Sequence, residues 1–417
     1  MRRSTWIAPI ALMVPLCLGC GGGSDGSPTT TEVKPPTEST PAQRDAAVIF
    51  DDSRVHKVVI KMSDADWASI LADSEGDTPR PATFTLDGIT VLNVGVRPSG
   101  ESSRVDGNVK MSIRIDFDAF EDKKKLGGYK SLKVSGAWDD PFVLRDQLAY
   151  WYYRHFMPAP REVSTELVIN GSSRGVFELE EIWEKQSLKS RFTDDSGTLY
   201  RLRGVAGFDP YDYIGDDPAL YVPMPWDAKG THEMAEHAVI PAAMKVLKQD
   251  PANVGTVIDM DNMVTYFACS ALLSNTDGFG SGFEIDDVFE YHDPTTGKFF
   301  MLPWDPDNTF GSLNELPTRD IFEHFDNSAT SLLMKGSYRD QYLAKLNQLM
   351  VAMPLETLNA EIDREVAQIM PLVQADTLKM YPTEHFIWSV GYVKDFVAAR
   401  YASIQQQTSA AAAPVGN

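Results

Sequence analysis

Only three of the 417 residues are cysteine: Cys17, Cys20 and Cys269. An intramolecular disulfide would need one of the two near the N-terminus, so a disulfide-stapled body is excluded. Cys269 lies in an apolar run, TYFACSALL, and is expected to be a buried structural thiol. Beyond Leu18 no stretch is apolar enough to span a bilayer. Basic residues are scarce beside acidic ones: 38 Lys and Arg against 59 Asp and Glu leave a formal charge of −21. A uniformly acidic surface repels nucleic acid, and no basic run marks a local exception, so no nucleic acid partner is expected. The phosphate loop GxxxxGK[ST] is absent. What is present suffices for a sizeable core, with 43% hydrophobic and 10% aromatic residues in one large domain or two lobes.

The first twenty residues, MRRSTWIAPIALMVPLCLGC, place two arginines before an apolar stretch from Trp6 to Leu18. This is the layout of a signal peptide, too short for a spanning helix. Its end resembles a bacterial lipobox, with Leu16 one place early and Gly19 before Cys20. The expectation is an exported, membrane-anchored lipoprotein of the bacterial cell envelope, lipidated on Cys20 and touching the membrane through that anchor only. Residues 21–47 are rich in Gly, Ser, Thr and Pro and are expected to be a flexible linker. Residues 406–417 are expected to be a disordered tail.

Order is expected from residue 48. HKVVIKM (56–62) alternates as a strand does, and Ser63 with Asp66 three residues on predicts a helix start. Strands are predicted over 82–87, 90–97, 110–117 and 130–136, with Asp87-Gly88 as a hairpin turn. A helix is predicted from Pro141 to Phe156, then a hairpin turning at Asn170-Gly171. Beyond residue 240 the pattern is helical, interrupted by one hairpin that ends in KFFMLPW. The fold class is therefore α+β, with a β-rich N-terminal lobe over about 48–181 and an α-rich C-terminal lobe over about 182–405.

Two acidic loops stand out. Asp277, in SNTDGFGSG, ends an apolar helix; Asp305 and Asp307, in LPWDPDNTFG, follow an apolar strand. A β-hairpin lies between them and returns the chain near its start, so both loops can reach one cleft. Phosphoryl transfer needs such parts: one carboxylate to orient or accept the attacking hydroxyl, others to hold a divalent cation against the phosphates. Closely spaced acids suit Ca²⁺ equally well, and spacing alone leaves both open.

Several segments, in order, resemble the spore-coat protein H (CotH) family of atypical kinases. They are IFDDSRVHKVVIKMSDADWASIL, GVRPSGESS, KMSIRIDFDAF, DPFVLRDQLAYWYYRHFMPAPR, VINGSSRGVFELEE, SNTDGFG, LPWDPDNTFG and VKDFVAARYASI, covering about 48–404. The resemblance implies a two-lobe, atypical protein-kinase-like fold. It implies transfer of the ATP γ-phosphoryl group to Ser or Thr hydroxyls of a protein substrate, with Mg²⁺ or Mn²⁺. On it, Asp277 takes the place of the catalytic aspartate and Asp305 that of the metal-binding aspartate, with Asp307 as a neighbouring ligand. Lys110 falls at the family's strand lysine, Glu181 at the exit from the first lobe, and Arg145 on the first long helix; these three are the expected nucleotide contacts.

The chain also departs from the family pattern. Ser99 precedes Gly100 where a lysine is usual, and Asp286 and Asp287 stand where an asparagine is usual. The first change removes a point charge for phosphate and the second adds negative charge beside the metal. The alternative reading is a catalytically weak pseudokinase, or a Ca²⁺-binding structural lipoprotein of a surface or coat.

Overall fold

Two dipeptides set the first strand pairings. Asp87-Gly88 and Asn170-Gly171 have positive φ at both residues, 46° and 88° in one and 50° and 81° in the other. That is the primed turn whose twist matches its flanking strands. The computed structural model describes residues 46–412, apart from residue 101, residues 205–208 and 280–287, and residue 324. Cys20 with the expected signal peptide, nearly all of the linker, Asp286 and Asp287, and residues 413–417 lie outside the described residues.

The chain enters through one turn of helix, α1 (Ala46–Ile49), followed by strand β1 (His56–Met62). Ser63 caps α2 (Asp64–Ala72), its Oγ accepting from the Asp66 N–H at 3.0 Å, as the spacing predicts. The next strands are β2 (Arg80–Leu86), β3 (Ile89–Pro98), β4 (Ile113–Asp116) and β5 (Ser131–Ser135). Helix α3 (Arg145–Arg154) precedes the hairpin β6 (Glu162–Ile169) and β7 (Ser172–Glu181). β7 pairs with β5, and β6 runs parallel to β1, closing a barrel in the order β1-β2-β3-β4-β5-β7-β6. Its interior is apolar: Val58, Ile60, Phe84, Val94, Ile115 and Leu179 are buried in one cluster.

Two sequence expectations shift here. The strand predicted over 110–117 is confined to Ile113–Asp116, because Asn108 turns the chain through bonds to the N–H groups of Lys110 and Met111. The helix predicted from Pro141 begins at Arg145: Val143 has φ 67°, and Asp140 accepts from the N–H groups of Phe142 and Arg145.

The second part holds α4 (Lys185–Lys189), β8 (Thr198–Leu202), β9 (Trp226–Ala228) and α5 (Val239–Gln249). Next come α6 (Met260–Leu273), β10 (Val288–Asp293), β11 (Lys298–Pro303), α7 (Gly336–Ala352), α8 (Leu355–Ala375) and α9 (Thr383–Ala412). The β-rich first part and helical second part stand as expected. The hairpin of the second part, however, belongs to a four-stranded sheet, β11-β10-β8-β9, with two strands from residues 198–228 that periodicity does not reveal. α6 is buried along nearly its whole length, Cys269 included. Asn262 on α6 fixes β11, donating to the Met301 carbonyl at 3.1 Å and accepting from the Met301 N–H at 2.7 Å.

The tail is also corrected. α9 runs to Ala412, seven residues into the segment expected to be disordered. Gln and Ala are good helix formers, and the extension is anchored: Gln407 Nε2 donates to the Arg319 carbonyl, and the Thr408 hydroxyl is buried against Asn347. No helix among the described residues is long and apolar enough to cross a membrane.

Glu290 on β10 is fully buried, with one carboxyl oxygen accepting from Tyr211 and the other without a partner. Burial pushes its pKa from 4.5 up to about 8. The folded state therefore holds a proton that the unfolded chain releases above 4.5. The associated stability is present below pH 4.5 and is lost as pH rises towards 8. Glu290→Gln is expected to flatten that decline, melting above wild type at pH 8.5 and close to it at pH 5, as thermal denaturation across pH would show.

Candidate active site

The two acidic loops do meet. The Thr276 N–H donates to the Asn308 carbonyl at 2.9 Å, and the Phe310 N–H to the Leu273 carbonyl at 2.8 Å. Asn308 Nδ2 donates to Asp277 Oδ2 and to Asp307 Oδ1, both at 2.9 Å. α6 ends at Ser274 in the left-handed conformation (φ 53°), turning the chain into the Asp277 loop. β11 ends at Pro303 and leads into Trp304 and Asp305, and Asp305 itself has φ 45°. A non-glycine residue held there marks a backbone constrained by its surroundings. The Asp305 N–H donates to the Tyr150 hydroxyl of α3 at 2.9 Å, which helps hold the turn in place.

Asp305 faces a lysine. Lys133 Nζ, from β5, lies 2.9 Å from Asp305 Oδ1 and 2.8 Å from Glu180 Oε2 of β7. Burial alone would lower the Lys133 pKa, but Asp305, Glu180 and Asp146 together hold it well above its ordinary value. Asp305 shows the mirror effect. Burial would raise it, and the charges of Lys133 and Arg201 keep it lowered and ionised. Asp307 has no such cation in contact: burial first, then the charges of Asp305 and Asp277, raise it to about 8. Its proton is the one a bound cation would displace.

Lys133, Asp305 and Gly100 connect two hollows. One is a small cavity lined by Ser102, Ser103, Asp146, Glu178 and Asp307. The other is a cleft of about 860 Å³ between the barrel and the four-stranded sheet. Ten lysines and arginines line the cleft against four carboxylates; Lys130, Lys133, Arg201, Arg203 and Lys229 are among them. One wall is apolar, built from Ile182, Trp183, Leu188, Leu199, Phe289 and Trp304. A cleft with cationic groups and an aromatic wall suits a ligand that is anionic at one end and flat and apolar at the other. The net charge of −21 thus conceals a local excess of positive charge. Sequence reasoning missed it, although KKKLGGYKSLK (123–133) carries five lysines.

The expected nucleotide contacts divide. Arg145 reaches the site: it lines the small cavity, pairs with Asp140 and donates through Nε to the Thr309 carbonyl at 3.0 Å, bracing the Asp305 loop against α3. Lys110 does not. Its ammonium is buried at 2.9 Å from Asp376, the residue that follows α8, and donates to the carbonyls of Arg174 and Val176 at 3.2 and 2.6 Å. Glu181 is also committed elsewhere, buried between Arg161, Arg191 and the Tyr129 hydroxyl, which donates to it at 2.6 Å. Both are corrected to structural ion pairs, since their charges are satisfied inside the protein. The lysine that faces Asp305 is Lys133, and a strand alternation that puts Leu132 and Val134 into the barrel is the sequence signal for it.

A family model described as CotH kinase protein matches residues 96–404. The inner spore coat protein H of Bacillus subtilis (strain 168) is 22% identical over 332 residues, spanning 77% of this chain and 88% of that protein. Among solved structures, the Helicobacter pylori proinflammatory kinase CtkA overlays with a TM-score of 0.34 at 6% identity, covering 81% of this chain and 94% of that one, an overlay too loose to argue from. The extent of the family match is decisive: the chain belongs to the CotH kinase protein family.

Proposed function

We propose that the protein is an atypical protein kinase that transfers the γ-phosphoryl group of ATP to Ser or Thr hydroxyls of a protein substrate. One observation carries the reading: Lys133 and Asp305 form an ion pair at the junction of a basic cleft and a Gly100-Ser102-Ser103 turn. The family membership supports it. The base of ATP would lie on the apolar wall of Trp183, Phe289 and Trp304, and its phosphates would meet Lys133. Asp305 and Asp307 fit a divalent cation such as Mg²⁺ or Mn²⁺ by their donor chemistry: two hard oxygen ligands in one turn, one of them without a cationic partner. A cation bound there supplies neutralisation of the charge on the transferring phosphoryl group. Asp277, oriented by Asn308, accepts or positions the substrate hydroxyl. Arg145 holds the Asp305 loop against α3.

The spore-coat protein named among its relatives, together with the N-terminal sequence, supports export and lipid anchoring through Cys20. The test is incubation of the purified full chain with labelled ATP, Mg²⁺ or Mn²⁺ and a generic protein substrate. Label is expected on Ser or Thr. Asp277→Ala is expected to abolish transfer while nucleotide affinity, measured by calorimetry, changes little. Turnover retained in that variant would remove Asp277 from the mechanism. Stabilisation by Ca²⁺ alone with no response to nucleotide would favour the structural lipoprotein instead.

A further inference from the structure

Adjacent to Lys133 lies a group of acids that the proposed transfer does not use. Glu162 opens β6 and Glu178 lies on β7; in their antiparallel register Glu162 stands opposite Glu180, and Ser164 opposite Glu178. Strand alternation sends Val163 and Leu179 into the barrel core and these glutamates to the other face, against α3, where Asp146 occupies the first turn. Asp146, Glu162 and Glu178 each offer an oxygen, all within 4.8 Å of one another. Glu162 and Glu178 are 1% exposed and Asp146 is 8% exposed.

A second observation is independent of that proximity. Both carboxyl oxygens of Glu162, Oε1 of Glu178 and Oδ1 of Asp146 have no hydrogen-bond partner. Buried polar groups in proteins are as a rule satisfied, and four of the eleven unpartnered buried side-chain atoms among the described residues fall on these three carboxylates, which points to something that binds there. Lys133, the cation whose charge reaches Asp146 and Glu162, is already shared between Glu180 and Asp305. The deficit is therefore one of positive charge.

The geometry points to a Ca²⁺-type cation site formed by Asp146, Glu162 and Glu178, separate from the nucleotide metal at Asp305 and Asp307. Ligand number selects the ion. Ca²⁺ takes about six to eight oxygens and accepts several carboxylates, mono- or bidentate, whereas Mg²⁺ is usually held by about one or two carboxylates and keeps its waters. Three buried carboxylates whose oxygens lie within 4.8 Å of one another fit the ion that takes the larger number of them. The three carboxylates supply at least three ligands, and water supplies the rest. Entry is through the small cavity of about 50 Å³, which Asp146 and Glu178 line. The site joins α3 to β6 and β7, so the ion would fix the helix that carries Arg145.

The full chain, stripped with a chelator and titrated without nucleotide, tests this by calorimetry. One Ca²⁺ per chain is expected, with Mg²⁺ at least about tenfold weaker. Glu162→Gln combined with Glu178→Gln is expected to weaken Ca²⁺ at least about tenfold, with an unchanged circular dichroism spectrum. Terbium emission needs no variant: Tb³⁺ in this site is sensitised by neighbouring Tyr150 and is displaced by one equivalent of Ca²⁺. Absence of Ca²⁺ binding in the wild-type chain overturns the site, as does binding unchanged in the double variant. Binding removed by Asp305→Asn with Asp307→Asn and untouched by the glutamate changes overturns it too. Because nucleotide is absent throughout, such failure leaves the kinase reading where it stood.

Discussion

Lys133→Met is expected to lower phosphoryl transfer by at least about 10²-fold, the loss typical of removing one preorganised electrostatic group from a transition state. Its ammonium is the cation placed against both Asp305 and the cleft. A merely structural role is separable. Removing Lys133 leaves Glu180, 0% exposed, without its cation, and breaking a buried pair costs about 3–5 kcal/mol. Adding Glu180→Gln neutralises the orphaned partner. The double variant is expected to regain most of the lost melting temperature and none of the transfer. Restoration of both would reduce Lys133 to a structural ion pair.

Glu181→Ala is expected to be the most destabilising single change and to spare the site. Its carboxylate is fully buried between Arg161 and Arg191, and Tyr129 donates to it. Burial would raise its pKa, but the two guanidinium groups overcome this and lower it from 4.5 to about 2. That difference corresponds to roughly 3 kcal/mol, in line with the cost of breaking a buried ion pair. The direction follows from linkage. The unfolded chain takes up a proton near pH 4.5 that the folded chain refuses until near pH 2. The stability is therefore present above 4.5 and lost as pH falls through that window. Acid denaturation of wild type should steepen between pH 4.5 and 2, and that of Glu181→Ala should not. At low temperature, where the variant is folded, its nucleotide affinity is expected to match wild type. A selective loss of affinity would return Glu181 to the nucleotide site.

Local signals proved strong where the physics is local. The Asp87-Gly88 and Asn170-Gly171 turns, the Ser63 cap and the strand at His56–Met62 follow from φ preferences, capping and period-two alternation, and each is found at its predicted place. The two acidic loops were legible for a similar reason: each follows an apolar element and precedes a glycine-bearing turn. Lys110 was misplaced because its strand begins three residues later than its neighbours' β-propensity indicates. Lys133 was overlooked because only its pairing across β5 and β7 reveals that it faces Glu180 and not solvent.

The amino-acid sequence by itself determined the division into a β-rich and a helical part, the acids that frame the site, and the family. These depend on turn chemistry, hydrophobic period and motif order, which are properties of neighbouring residues. Only the tertiary structure decided which lysine meets Asp305, that Lys110 and Glu181 are internally paired, and that an acidic chain carries a basic cleft. Charges interact through space, so their sign and pairing depend on which strands and helices pack together, not on their order along the chain.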